Sequence, residues 1–230
     1  MDSELTPVNE EQFRANRFDL VSGLADDLAH EIKNPLNSIV INLEVLKVRV
    51  GRGDAAGALD RAAVIEHEAR RLHLMIDRLL QLLRPERDEE DSFALDRIFD
   101  ELMPLVEARA RLARNLLRIE CGDGLFVPLR RDMFKFAMLN LLTAVHERLG
   151  ENGGTLHVFC EPGEADLRLV IVAAREADAP PLAPPEANFE RSLAVAAALL
   201  DSSGAVLEAR PDGVSVLVPR AYSAGADVTA

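Results

Sequence analysis

Between Val21 and Val50 the apolar residues Val21, Leu24, Leu28, Ile32, Leu36, Ile39, Leu43, Leu46 and Val50 recur at steps of three or four. Such a stripe admits one regular structure, a long amphipathic helix with one buried face. A second stripe follows at Leu59, Ala62, Ile65, Ala69, Leu72, Ile76, Leu79 and Leu83. Gly51-Arg52-Gly53-Asp54 separates the two and supplies a turn, with Asp54 placed to cap the second helix. The first helix is expected from about Phe18 to Val50. Two long helices joined by a tight turn make an antiparallel hairpin. One hairpin leaves apolar surface exposed, and a second copy covers it as a four-helix bundle. A homodimer is therefore expected. The competing arrangement packs the hairpin against the chain's own C-terminal half.

The first helix carries Leu28-Ala29-His30-Glu31-Ile32-Lys33-Asn34-Pro35-Leu36. A proline inside a helix removes a backbone hydrogen bond and costs about 3 kcal/mol. At about 100° per residue, His30 lies roughly 200° around the helix from Leu28 and points away from the stripe. Its neighbours on that outer face are Asp27, Asn34 and Asn37. An outward imidazole beside an acid can have one ring nitrogen oriented while the other acts as nucleophile. Glu31 can also serve as general base, and Asn34 can position a water or an acyl phosphate. His67 and His73, on the second helix, lack such neighbours and read as solvated or structural.

His30-Glu31-Ile32-Lys33-Asn34-Pro35-Leu36 resembles the H-box of two-component sensor histidine kinases. The resemblance implies that His30 carries a phosphoryl group and passes it to an aspartate on a response-regulator receiver domain. It implies that Glu31 assists phosphorylation, and that Glu31 with Asn34 forms the element that dephosphorylates the regulator. The implied docking surface is the hairpin beside His30, with Asp27, Lys33, Asn37 and Ser38.

Composition narrows the remaining classes. A chain of 230 residues fits one large domain or two small ones. Hydrophobic content of 48% supports a core, and 4% aromatics without tryptophan suits Leu/Ala-rich helices. A net charge of -13 argues against a nucleic-acid partner. No apolar run reaches the roughly 18 residues of a membrane span, and the acidic start, Met1 to Glu11, lacks a signal-peptide core. Cys121 and Cys160 are too few for a disulfide framework and lack zinc-type spacing. The expected location is a reducing cytoplasm, with no membrane contact.

Arg84 to Ser92 is a charged, proline-bearing break that reads as a linker. The expected organisation is an N-terminal segment (1–16), the dimerisation and phosphoacceptor hairpin (17–84), a linker (85–92), an α/β domain (93–220) and a tail (221–230). Within the α/β domain the pattern predicts helices over Leu95–Ala113, Asp132–Leu149 and Glu190–Leu200. It predicts strands over Leu116–Glu120, Thr155–Cys160, Asp166–Ala173, Ala205–Ala209 and Val214–Val218. The order resembles the ATP-binding domain that follows the hairpin in histidine kinases. The fold class is thus α+β: an antiparallel helical hairpin forming a dimeric four-helix bundle, then a histidine-kinase-like α/β sandwich.

The resemblance also predicts a nucleotide site that these residues do not supply. Asn140 keeps the first asparagine of the expected pair, but Ala144 replaces the magnesium-binding second. Alanine offers no oxygen to a hard cation. No glycine occurs between Gly163 and Gly204, where two glycine-rich loops are expected. Glycines let backbone amides approach phosphates closely. Pro180-Pro181 and Pro184-Pro185 suggest a short, rigid connection there. A working ATP site would need substitutes, with Asp178 or Glu176 holding the metal. The expected function is therefore a dimeric histidine phosphotransferase, shuttling a phosphoryl group between His30 and receiver aspartates without ATP. The chain would bind no cofactor, the receiver would supply Mg2+, and an upstream histidine kinase would load the relay. The alternatives are an ATP-dependent kinase with a divergent site, and a non-catalytic pseudokinase that binds or dephosphorylates a response regulator.

Overall fold

The computed structural model describes residues 10–83, 92–122, 124–151, 153–175, 179–201 and 204–219. The expected tail, residues 1–9 and all of the expected linker except Ser92 lie outside the described residues. The chain divides into a helical unit, Ser22–Arg84, and an α/β unit formed by the remainder, so the boundary falls within the first helix.

The helical unit is the expected hairpin. Helix α1 spans Glu10–Gly51 and α2 spans Ala55–Leu83. α1 begins eight residues before Phe18, the expected start. The added turns are rich in good helix formers but carry no apolar stripe, so periodicity could not reveal them. The α-helix continues through Pro35. Asp54 caps α2: Gly57 N–H donates to its Oδ1 at 2.9 Å. The Arg49 guanidinium, 2.5 Å from Asp54, is the main reason its carboxyl sits below the usual range.

Three polar contacts set the hairpin register. Arg71 meets Glu31, Arg61 meets Asn42, and Arg49 meets Asp54. Each pair's residue numbers add to 102 or 103, as antiparallel helices of equal rise require. The apolar stripe of α1 then divides. Leu28 is buried and Ile32, Ile39 and Leu46 are half-buried. Leu36, Leu43 and Val50, spaced by sevens, are 44%, 38% and 63% exposed. On α2 Leu59, Leu74, Ile76 and Leu80 are exposed too. One chain covers only part of its apolar surface.

The α/β unit contains β1 (Phe93–Ala94), α3 (Leu95–Leu112), β2 (Leu116–Glu120), β3 (Phe126–Val127), α4 (Arg131–Glu147), β4 (Thr155–Pro162), β5 (Asp166–Ala174), α5 (Ala187–Asp201), β6 (Val206–Arg210) and β7 (Gly213–Pro219). The main sheet has the order β2-β4-β5-β7-β6, with β2 parallel to β4 and the other pairs antiparallel. β1 and β3 form a separate antiparallel pair that the sequence pattern did not show. Two-residue strands are too short to display alternation.

One sheet face builds the core. Leu156, Val158, Leu167, Leu169, Ile171, Val214, Val216 and Val218 alternate inward and are essentially inaccessible. α4 packs against α3 and α5 and is apolar nearly all round, with residues 137 to 146 all buried. A helix enclosed on every side forms the centre of such a unit.

The structure corrects the reading of the cysteines. Cys121, just past the end of β2, forms a disulfide with Cys160 on β4, 39 residues away in sequence. Two cysteines gave no framework to read, because the parallel β2–β4 pairing is a tertiary fact. Truncation in the core should be costly. Leu139→Ala, at an inaccessible position of α4, should lower the unfolding free energy of the α/β unit by about 2–5 kcal/mol in urea denaturation. The hairpin's helical signal should be unchanged.

Candidate functional site

His30 is exposed on α1, as are Asn34 and Asn37. At about 100° per residue, Asn34 and Asn37 lie within roughly 40° of His30, so the three share one face. Lys33 is also exposed, at the border of that face. Ser38 is half-buried and accepts from Asn42 Nδ2, at 2.8 Å to its carbonyl and 3.4 Å to its Oγ. The side chain of Asp27 lies outside the described residues.

Glu31 points the other way. It is 5% exposed, and Arg71 Nη2 donates to its Oε2 at 3.2 Å. Arg71 also lies 3.8 Å from Glu68 on α2. The carboxylate next to the histidine is therefore held by a guanidinium across the hairpin. Pro35, also buried, has no N–H for the Glu31 carbonyl one turn earlier. Nothing in the residue pattern marks Arg71, since a partner forty residues away emerges only once the register is fixed. His73 is exposed and lies 3.3 Å from Asp77, and His67 is exposed. Neither shares the His30 face of α1.

The region of the expected nucleotide site is built from α4, the segment 179–186 and the start of α5. Asn140 is buried, and its Nδ2 donates to the Phe136 carbonyl at 2.9 Å. Its Oδ1 is buried without a hydrogen-bond partner. Four residues on, Ala144 is buried and offers no ligand. Two arginines pin the proline-rich segment. Arg148 donates to the carbonyls of Ala183 (3.2 Å) and Pro211 (2.9 Å), and its guanidinium lies 5.4 Å from the Phe189 ring centroid. Ala183 N–H returns a bond to the Arg148 carbonyl at 3.0 Å. Arg175 donates to the carbonyls of Pro180 (2.6 Å), Pro181 (3.2 Å) and Leu149. The cavity left between Ala144, Arg148, Ala183 and Phe189 is about 200 Å³. Small-molecule sites usually offer about 300–1,000 Å³. The lining of this cavity also includes Glu147, Glu186 and Asn188. Glu176 and Asp178 lie outside the described residues.

α4 also carries His146, buried beside Asn115, whose Nδ2 lies 3.1 Å from its Nε2. Burial, aided by the Arg109 charge, lowers its pKa from 6.5 to about 4. The folded state thus keeps it neutral where the unfolded chain binds a proton. Stability should fall as pH drops from 6.5 towards 4 and level off below. Denaturation across that window should show the slope, and His146→Gln should flatten it. On the hairpin, Arg71→Ala leaves a buried carboxylate without its donor. It should cost the helical unit about 1–3 kcal/mol, read by thermal melting.

Comparison with known proteins places these features. Residues 21–88 match the family of the His Kinase A (phospho-acceptor) domain. The chain is 23% identical over 171 residues to sporulation kinase A of Bacillus subtilis (strain 168), covering 74% of this chain and 27% of that protein. It is 28% identical over 147 residues to the sensor histidine kinase ZraS of Escherichia coli O157:H7, covering 64% of this chain and 32% of that one. The catalytic domain of histidine kinase ThkA superposes with a TM-score of 0.46 at 22% identity, over 56% of this chain and 95% of that domain. The chain spans roughly a third of the length of these two curated relatives, 27% and 32%. No helix among the described residues is long and apolar enough to cross a membrane. His30 lies inside the matched phospho-acceptor region, and the similarity to sporulation kinase A extends past that region into the α/β unit.

Proposed function

We propose that this chain is a dimeric histidine phosphotransferase of a two-component phosphorelay, working without ATP. The observation that carries the reading is a contrast within one chain. His30 stands exposed on a phosphoacceptor-type hairpin, while the α/β unit has Ala144 where a metal ligand is needed and a segment strapped down by Arg148 and Arg175.

In the transfer, a neutral His30 ring nitrogen attacks the phosphorus of an aspartyl phosphate on a receiver domain. The N–P bond forms, the P–O bond to aspartate breaks, and the carboxylate leaves. The proton on the other ring nitrogen passes to solvent. The reverse sequence loads a second receiver. The receiver supplies the Mg2+, and this chain supplies position. Asn34 and Asn37 flank the attacking ring and can hydrogen-bond the phosphoryl oxygens or the receiver. Lys33 gives a cation at the border, and Asp27 and Ser38 complete the proposed docking surface. An upstream kinase phosphorylates the first receiver.

Glu31 has a restricted part in this scheme. Tied to Arg71 and buried, it is not placed to take a proton from a water at His30. That favours transfer over Glu31-dependent dephosphorylation of a regulator. The exposed stripe of Leu36, Leu43 and Val50, with Leu59 and Ile76 on α2, supports pairing of two hairpins into a four-helix bundle.

Two experiments test the proposal. Receivers phosphorylated with radiolabelled acetyl phosphate should label this chain, and His30→Gln should abolish the label. Release of inorganic phosphate with no labelled chain would instead indicate a phosphatase. The wild-type chain should run as a dimer in light scattering, and Leu43→Glu should give monomers.

A further inference from the structure

Cys121 and Cys160 are the only cysteines in the chain. Their Cα atoms lie 4.8 Å apart, within the usual disulfide range. Both residues are partly exposed, so a thiolate from solution can reach the bond. Cys121 directly follows β2, which lies at the edge of the main sheet with β4 as its one neighbour there.

The two ends of β2 are held differently. At its start, buried Asn115 donates to the Gly150 carbonyl at 2.9 Å and meets His146 Nε2 at 3.1 Å. Leu116 N–H donates to the Gly154 carbonyl at 2.8 Å. At its far end the side-chain contacts are exposed ones, Arg118 and His157 on Glu120. Beyond them the chain leaves regular structure through Cys121 and Gly122, and Gly124 takes a φ of 72°. The covalent tie sits at the weakly held end. A strand paired on one side, with one end anchored, opens locally from the other end at small cost.

We propose that Cys121–Cys160 is a reversible thiol–disulfide switch, set by a glutathione-class thiol pool, that locks or releases the C-terminal end of edge strand β2. On oxidation the two thiols give up two electrons and two protons to one glutathione disulfide, forming the protein disulfide and two molecules of reduced glutathione. Reduction runs the same exchange backwards through a mixed disulfide.

The test uses the full chain equilibrated in glutathione buffers, from reduced glutathione alone to glutathione disulfide alone. Each sample is split for alkylation with mass analysis and for amide hydrogen exchange. The couple should titrate within the series. Exchange at residues 118–121 should rise about tenfold on reduction, while α4 and β5 keep their protection. A Cys160→Ser chain should exchange at the reduced rate in every buffer. The proposal is overturned if the pair stays oxidised in reduced glutathione alone, or stays reduced in glutathione disulfide alone. It is equally overturned if exchange at 118–121 is the same in both states, if Cys160→Ser exchanges at the oxidised rate, or if reduction strips protection from α4 and β5.

Discussion

A single residue step on α1 separates solvent from interior. His30 and Glu31 are neighbours in sequence, yet about 100° of helical rotation turns one outward and the other under α2. The Glu31–Arg71 contact fixes that rotation, because a buried carboxylate needs its donor and only one register supplies it. Arg61 with Asn42 and Arg49 with Asp54 repeat the same register towards the turn. The remaining surface follows from it. Asn34 and Asn37 come up beside His30, Leu36 and Leu43 are left uncovered, and Pro35 is buried one turn from the histidine.

In the α/β unit the core and the segment between β5 and α5 are built from different residues. Its core is complete, and α4 is enclosed on all sides. The segment between β5 and α5 has no glycine. Arginines take up its carbonyls instead, from the end of α4 and the end of β5. Each of these bonds satisfies a backbone acceptor and removes freedom from the segment. On the proposed function, stability of the fold and loss of a nucleotide cradle are compatible, since the sheet and helices form the core without the loops.

Elements with strong periodicity were legible in the sequence. Both hairpin helices, the longer sheet strands and the three helices of the α/β unit follow from apolar spacing and turn residues. The outward position of His30 followed from angle alone, and the cap at Asp54 from its place before a stripe. What stayed hidden depends on distant pairing. Arg71 on Glu31, Cys121 on Cys160 and Arg148 on Pro211 join residues 39 to 63 positions apart. The early turns of α1 lack a stripe, and β1 and β3 are too short to alternate. The missing glycines and Ala144 were readable in the sequence, whereas the arginines that hold the carbonyls of Pro180, Pro181 and Ala183 were not.

On the proposed function, phosphoryl groups enter through His30 from other proteins and not from nucleotide. Calorimetry of Mg-ATP with the purified chain, alongside γ-labelled ATP, addresses it directly. No binding heat and no label are expected. Micromolar binding, with label that disappears in His30→Gln, would contradict it and make the chain an ATP-dependent kinase.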